Sequence, residues 1–239
     1  MNPYESARIV GIGFGRKDGE MNLVTTEQEQ PVSAAPVTVV LSRAEPSAGY
    51  LFAKRLFDIA ASLLAGIVLL VPMLIIALVV RLDSPGPAIF RQERLGKNGK
   101  PFTMIKFRSM YLDAEINGPQ WAAVNDHRCT KVGRVLRNSR LDELPQLWNI
   151  LKGDMSFVGP RPERACFYDE FEKYIPGFRN RLQIKPGLTG WAQINGGYEL
   201  KPEEKLAYDM EYIGNCSVRI DAICILKTVP LAFTHKGAR

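Results

Sequence analysis

Histidine is scarce in this sequence, with only His127 and His235 among 239 residues, and the four cysteines (Cys129, Cys166, Cys216, Cys224) include no Cys-x-x-Cys pair. A zinc centre therefore has little support. Thiols scattered in this way read as reduced residues of a protein facing the cytosol. An Asp-x-Asp pair, the metal motif of a conventional nucleotide-sugar glycosyltransferase, is missing too. The first twenty residues are interrupted by charge at Glu5, Arg8, Arg16, Lys17 and Asp18. That argues against a cleavable signal peptide.

What is present is uneven. The net charge is +6, yet residues 1–50 carry more acid than base, so the excess of cations belongs to the rest of the chain. A basic domain seeks nucleic acid, anionic lipid or a phosphorylated substrate. Residues 1–50 read as a tail, disordered or loosely docked, with a candidate strand at Val37–Leu41. The glycines of GIGFG (11–15) lack the strand-and-helix frame of a nucleotide loop, so that reading is set aside. Residues 51–239 form the candidate domain. Ile59 to Val80 is an uncharged run long enough to reach across a bilayer. Pro72 lies inside it, where it removes a hydrogen bond and kinks a helix. Lys54 and Arg55 precede the run, and Arg81, Arg91 and Arg94 follow it. With both flanks basic, a helix that enters, bends at Pro72 and returns to the same face suits the charge bias better than a span does. The membrane segment is then about 54–81.

Downstream, SPGP (84–87) is a rigid turn, and Lys97-Asn98-Gly99 between alternating runs predicts a β-hairpin. Period two places Phe102, Met104, Lys106 and Arg108 on one face of its second strand. Val132 to Gly153 is helical in pattern, with Ser139 as a candidate N-cap and Asp142 three residues on. Leu144, Leu147, Trp148 and Leu151 make the apolar stripe expected to be buried, which leaves Asp142 and Glu143 off it, in the first turn. Two prolines hold Arg161 in a restricted backbone, as a phosphate clamp or simply a rigid turn would require. A charged helix is expected near Pro202–Tyr212. The apolar-rich Val218–Phe233 suits either an amphipathic interface helix or a packed C-terminal one.

Long ordered motifs then carry a resemblance. KRLFDI (54–59), SPGPAIFRQERLGKNGKPF (84–102), KFRSM (106–110), KVGRVLRNSRLDELPQLWNILKGDMSFVGPRPE (131–163) and KPGLTGWAQING (185–196) are similar to the bacterial sugar transferases. These are also called monotopic phosphoglycosyl transferases. The resemblance departs at Val71-Pro72, where the small members carry Ser-Pro, and in the length of the N-terminal tail. It implies an α+β, mainly helical fold: a re-entrant membrane helix broken at Pro72, a small β-hairpin and amphipathic interface helices. It also implies transfer of a sugar-1-phosphate from a UDP-sugar to polyprenyl phosphate, with release of UMP. Asp142 matches the nucleophile and Glu143 its partner, and both are candidate ligands for Mg²⁺. Lys106, Arg108, Arg137 and Arg161 are the candidate phosphate-binding cations, and Lys54 and Arg55 the headgroup anchors. The implied setting is the inner face of a bacterial cell membrane, with the active site towards the cytoplasm. The stretch NGGYELKPEEKLAYDMEYIGN (195–215) resembles members assigned to hexose-1-phosphate transfer, which points to UDP-glucose or UDP-galactose and leaves N-acetylated sugars open. A homodimer is compatible with that setting. The competing readings are an anchored glycosyltransferase, which the missing Asp-x-Asp opposes, and a non-catalytic assembly protein. Nucleic-acid binding rests on charge alone and sits badly with the apolar run.

Overall fold

The computed structural model describes residues 11–17, 20–26, 46–116, 118–120, 126–197 and 199–234, and the chain divides into two compact units, 1–39 and 40–239. In the first unit β1 (Gly11–Lys17) and β2 (Glu20–Thr26) pair antiparallel. The GIGFG run thus lies in a strand, a hairpin that the sequence reading did not anticipate. The candidate strand at Val37–Leu41 lies outside the described residues.

The second unit opens with α1 (Ala48–Val68), whose N-cap Ser47 accepts a hydrogen bond from the Tyr50 amide, and α2 (Leu70–Asp83) follows at once. The two meet at 64°. The break falls at Leu69, whose φ of −92° and ψ of 3° are not helical, rather than at Pro72 itself. Proline explains the offset. Its ring collides with the carbonyl four residues earlier, here that of Val68, so the first helix stops there. Pro72 then occupies the first turn of α2, where a missing N–H costs nothing. Among the described residues no single helix is long and apolar enough to cross a membrane, whereas the bent pair passes that test jointly by length and composition. Leu64, Ile67, Val68, Val71, Leu74 and Leu78 of the pair are exposed.

The hairpin expected around Asn98 is present. β3 (Ile89–Leu95) pairs antiparallel with β4 (Pro101–Phe107), and Asn98 takes the left-handed conformation (φ 58°) in the turn. Phe102, Met104 and Phe107 of β4 are buried. Phe102 and Met104 pack with Leu147, Ile150 and Met155, and Phe107 packs with Val80 and Leu136. These two clusters join the hairpin to the bent helices and to the segment that follows. That segment is not the continuous helix expected over 132–153. It divides into α3 (Lys131–Asn138), a 3₁₀ turn (Leu141–Gln146) and α4 (Leu147–Lys152). Arg140 breaks it in the left-handed region (φ 57°). Ser139 caps the C-terminus of α3, with its hydroxyl donating to the Val135 carbonyl at 2.9 Å, and so is not an N-cap. α3 is capped at its start by Thr130, which accepts from the Gly133 amide.

A short parallel pair, β5 (Ser156–Val158) and β6 (Gly187–Thr189), closes the far side. α5 (Ala165–Glu172) packs Tyr168 and Phe171 against Phe178 and Leu182. After the short α6 (Trp191–Ile194), α7 (Pro202–Gly214) fills the place expected of the charged helix, and α8 (Val218–Thr234) buries Cys224 against Val158 and Tyr212. The architecture is mainly helical with small two-stranded sheets.

Candidate active site

The buried residues of the 3₁₀ turn and α4 are Asp142, Pro145, Gln146, Leu147, Asn149 and Ile150, and all but Leu147 fall on one face. The spacing is that of an apolar helix stripe, but turned so that polar residues point in. Of the stripe expected from the sequence, Leu147 is buried and Leu144 packs against the core, whereas Trp148, assigned to the core, is 60% exposed. The reason is that this face borders a cleft, which Gln146 lines, as well as a core. Asn149 fixes its position. The Asn149 amide nitrogen donates to the Thr103 carbonyl at 2.8 Å, and its oxygen accepts from the Ile105 amide at 3.1 Å. The side chain thus pairs with the open edge of β4 as a neighbouring strand would. Lys106, the next residue of β4, is thereby held across from the turn that bears Asp142.

A cleft of about 320 Å³ opens here, and Lys106, Arg137, Gln146 and Arg161 are among its lining. Asp142 is buried beside these cations rather than on the open wall. Burial raises its carboxyl pKa, and the charge of Glu143 raises it further, while Lys106, Arg137 and Arg161 pull the other way. The net direction is upward. For Glu143 burial also acts upward, but attraction and a hydrogen bond from Arg161, with help from Arg140 and Lys106, outweigh it and leave the carboxyl below its usual range. Arg161 Nη2 meets Glu143 Oε1 at 2.5 Å. The two adjacent carboxyls are thus driven apart, as happens where two acids of one site take different tasks. Burial lowers the Lys106 ammonium to about 8, despite the attraction of Asp142. Its Nζ lies 5.4 Å from the centre of the Phe90 ring.

Three of the four cations expected at the phosphate site therefore converge on Asp142. Arg108 is placed differently. It borders the cleft, but its buried guanidinium donates to the carbonyls of Pro85, of Ser84 at 2.7 Å and of Val80 at 3.2 Å. These are the open carbonyls at the end of α2, so Arg108 ties the bent helix pair to β4. Gly86, at φ 117°, makes room for it, since a Cβ there would come within 2.5 Å of Arg108 Nη1. The expected headgroup anchors are likewise engaged within the protein. Lys54 Nζ meets Asp221 at 2.6 Å and Tyr212 Oη at 3.2 Å, clasping α1 to α8. Arg55 donates to the Ile150 and Leu151 carbonyls, each at 2.7 Å, and caps α4.

Sequence reasoning missed the supports of Arg161. Arg181 Nη2 donates to the Arg161 carbonyl at 3.1 Å, and its Nε to Asp209 at 2.6 Å, the pair being 1% exposed. Arg94 donates to the Pro162 carbonyl at 3.2 Å and to Glu163 at 3.1 Å. No local pattern announces these partners, which come from distant segments. Gln146 and Asn149 had a signal, since each is a polar residue at the spacing of Asp142.

For a metal, no group of three or more His, Cys, Asp or Glu converges among the described residues. Two adjacent carboxylates suit only an ion that takes its other ligands from water and substrate phosphate, as Mg²⁺ does.

Several known proteins are similar to this chain. It is 44% identical over 198 residues to a UDP-N-acetylgalactosamine-undecaprenyl-phosphate N-acetylgalactosaminephosphotransferase of Aeromonas hydrophila, covering 81% of this chain and 47% of that protein. It is 38% identical over 220 residues to a UDP-glucose:undecaprenyl-phosphate glucose-1-phosphate transferase of Caulobacter vibrioides, covering 88% and 82%. An exopolysaccharide production protein PSS of Rhizobium leguminosarum is 41% identical over 191 residues, covering 76% and 96%. The chain thus spans about half the length of the Aeromonas relative and most of the other two. The family model described as bacterial sugar transferase matches residues 49–235, which take in the bent helix pair, the hairpin and the whole cleft, and the chain belongs to that family.

Proposed function

We propose that this protein transfers a sugar-1-phosphate from a UDP-sugar to polyprenyl (undecaprenyl) phosphate and releases UMP. The observation that carries the reading is a buried Asp142 facing Lys106, Arg137 and Arg161 beside a cleft, with Glu143 held ionised by Arg161. The names of the Aeromonas and Caulobacter relatives support the same donor and acceptor classes. They divide between N-acetylgalactosamine and glucose, so the donor belongs among the UDP-hexoses and UDP-N-acetylhexosamines.

In the first step an Asp142 carboxylate oxygen attacks the sugar-bearing phosphorus. The bond from that phosphorus to the bridging oxygen breaks, and UMP leaves with the electron pair. An oxygen of polyprenyl phosphate then attacks the phosphosugar ester and expels Asp142 as a carboxylate. Such transfers depend on positioning and on neutralising charge. Lys106, Arg137 and Arg161 supply that neutralisation. Asp142 and Glu143 would hold Mg²⁺, which when bound offsets the charge of the diphosphate.

The acceptor is a lipid, and the exposed apolar faces of α1 and α2 give the site a route to it. The uncharged part of α1 is roughly 15 Å long and α2 about 20 Å, against a hydrocarbon core of about 30 Å, so each arm is too short to span alone. The bent pair enters and returns on the cytoplasmic face, where the UDP-sugar is found. The test is nucleotide release from purified protein given Mg²⁺, undecaprenyl phosphate and a panel of UDP-hexoses and UDP-N-acetylhexosamines. UMP is expected. UDP would mark a conventional glycosyltransferase, and release of neither would favour a non-catalytic role.

A further inference from the structure

Gln146 lies one turn beyond Asp142 on the inward face and lines the cleft together with Lys106, Arg137 and Arg161. It is 2% exposed, and its amide nitrogen has no hydrogen-bond partner. Buried amide N–H groups are nearly always paired, and an orphan is destabilising enough to call for an explanation. A structural explanation has little to draw on here. Asn149, one turn further along the same face, has both ends of its amide bonded to β4, so the fold is able to satisfy an amide at this face when the role is architectural. The surroundings also limit what the missing acceptor would be. The charged groups that line the cleft beside Gln146 include Lys106, Arg137 and Arg161, which attract an anionic oxygen.

We infer that the Gln146 amide donates a hydrogen bond to a non-bridging oxygen of the sugar-bearing phosphate, as a positioned neutral donor within the cationic wall. This rests on the proposed phosphoryl transfer and adds a catalytic residue to it. A neutral donor does work that another cation would not. It follows the charge that builds on the phosphoryl oxygens during transfer without further depressing the basicity of Asp142, whose attack needs an electron pair.

Gln146→Met keeps the unbranched shape and removes the donor, and Gln146→Glu keeps the shape and replaces the donor with an acceptor. UMP release in a single turnover is read for both, beside KM for the UDP-sugar, melting temperature in detergent and affinity for UMP. UMP lacks the sugar-bearing phosphate and serves as the internal control. The expected result for Gln146→Met is a rate lower by roughly 10²–10³, as for loss of one oxyanion donor. KM and UMP affinity should stay within about threefold, and the melting temperature should be kept or raised. Gln146→Glu should be slower still. A rate within about threefold of wild type in Gln146→Met overturns the assignment. So does a slow variant that also binds UMP poorly and melts early, because that pattern marks a structural role. A wild type that releases UDP removes the underlying phosphoryl-transfer reading, and this outcome is distinct from a failure at Gln146 alone.

Discussion

At the scale of single residues, the site separates two neighbouring carboxyls by environment. Asp142 is pushed up to about 6 by burial and by Glu143, whereas Arg161 keeps Glu143 below its ordinary range. A nucleophile must be ionised, so kcat/KM should rise with pH through about 6 as Asp142 loses its proton. Lys106, lowered to about 8 by burial, should then lose its charge and produce a falling limb near that pH. The profile is therefore a bell whose limbs belong to an acid and a cation, as macroscopic values of a coupled site. Lys106 is one of the charges that hold Asp142 down, so Lys106→Met should move the acid limb to higher pH and abolish the alkaline one. A pH series of UMP release in both proteins checks this. An acid limb that stays in place in the variant would detach Lys106 from Asp142.

Among the elements, the decisive junction is where α3 meets the end of β4. Gly133 sits so close to this strand's exit that a Cβ would lie 2.0 Å from the Ser109 carbonyl oxygen and 2.6 Å from its Cα. Neither neighbour is a side chain that is able to rotate away. Gly133→Ala should therefore destabilise the fold by about 1–3 kcal/mol, the usual range for overpacking. It should also cost activity, because α3 carries Arg137 and β4 carries Lys106. Thermal melts and UMP release measured side by side test both effects, and an unchanged melt would show that the junction yields freely. This scale also divides what the sequence disclosed from what it hid. The hairpin was legible because Asn98-Gly99 between alternating strands is a local signal, and a bend near Pro72 because one ring removes one hydrogen bond. The offset to Leu69 follows from the same geometry. The inward face at 142–150 was read only in part: Leu147 is buried as its spacing suggested, but Asp142, Gln146 and Asn149 are buried too, because the interior here includes a polar cleft and a strand edge to be bonded. The inner roles of Lys54, Arg55 and Arg108 were hidden for another reason. Their partners come from other segments, such as Asp221 for Lys54 and Ile150 for Arg55, and no period along the chain encodes that.

For the molecule as a whole, one set of contacts links the apolar helix pair to the chemistry. Arg108 holds the end of α2 to β4, Arg55 caps α4, and Lys54 joins α1 to α8. Asp58 adds a fourth tie, accepting from the Ser156 hydroxyl at 3.1 Å and the Phe157 amide at 3.0 Å. These contacts fix the cleft relative to the exposed apolar surface, and in the proposed reaction that placement would let a cytosolic donor and a lipid acceptor reach the same carboxylate. A re-entrant pair makes a definite topological prediction. Single cysteines placed at Ser47 and at Leu82, in a background lacking the exposed Cys166, should both react with an impermeant thiol reagent from the cytoplasmic side of inverted vesicles. Labelling of the two from opposite sides would establish a span instead.

The central claim is that Asp142 becomes covalently attached to the phosphosugar, and intact-mass measurement tests it most directly. Purified protein is incubated with Mg²⁺ and the UDP-sugar that supports UMP release, with polyprenyl phosphate omitted, beside Asp142→Asn. The expected result is a mass gain equal to one sugar-phosphate on the wild type, lost when undecaprenyl phosphate is added and absent from Asp142→Asn. Turnover without any adduct, or an adduct that persists in Asp142→Asn, would contradict it.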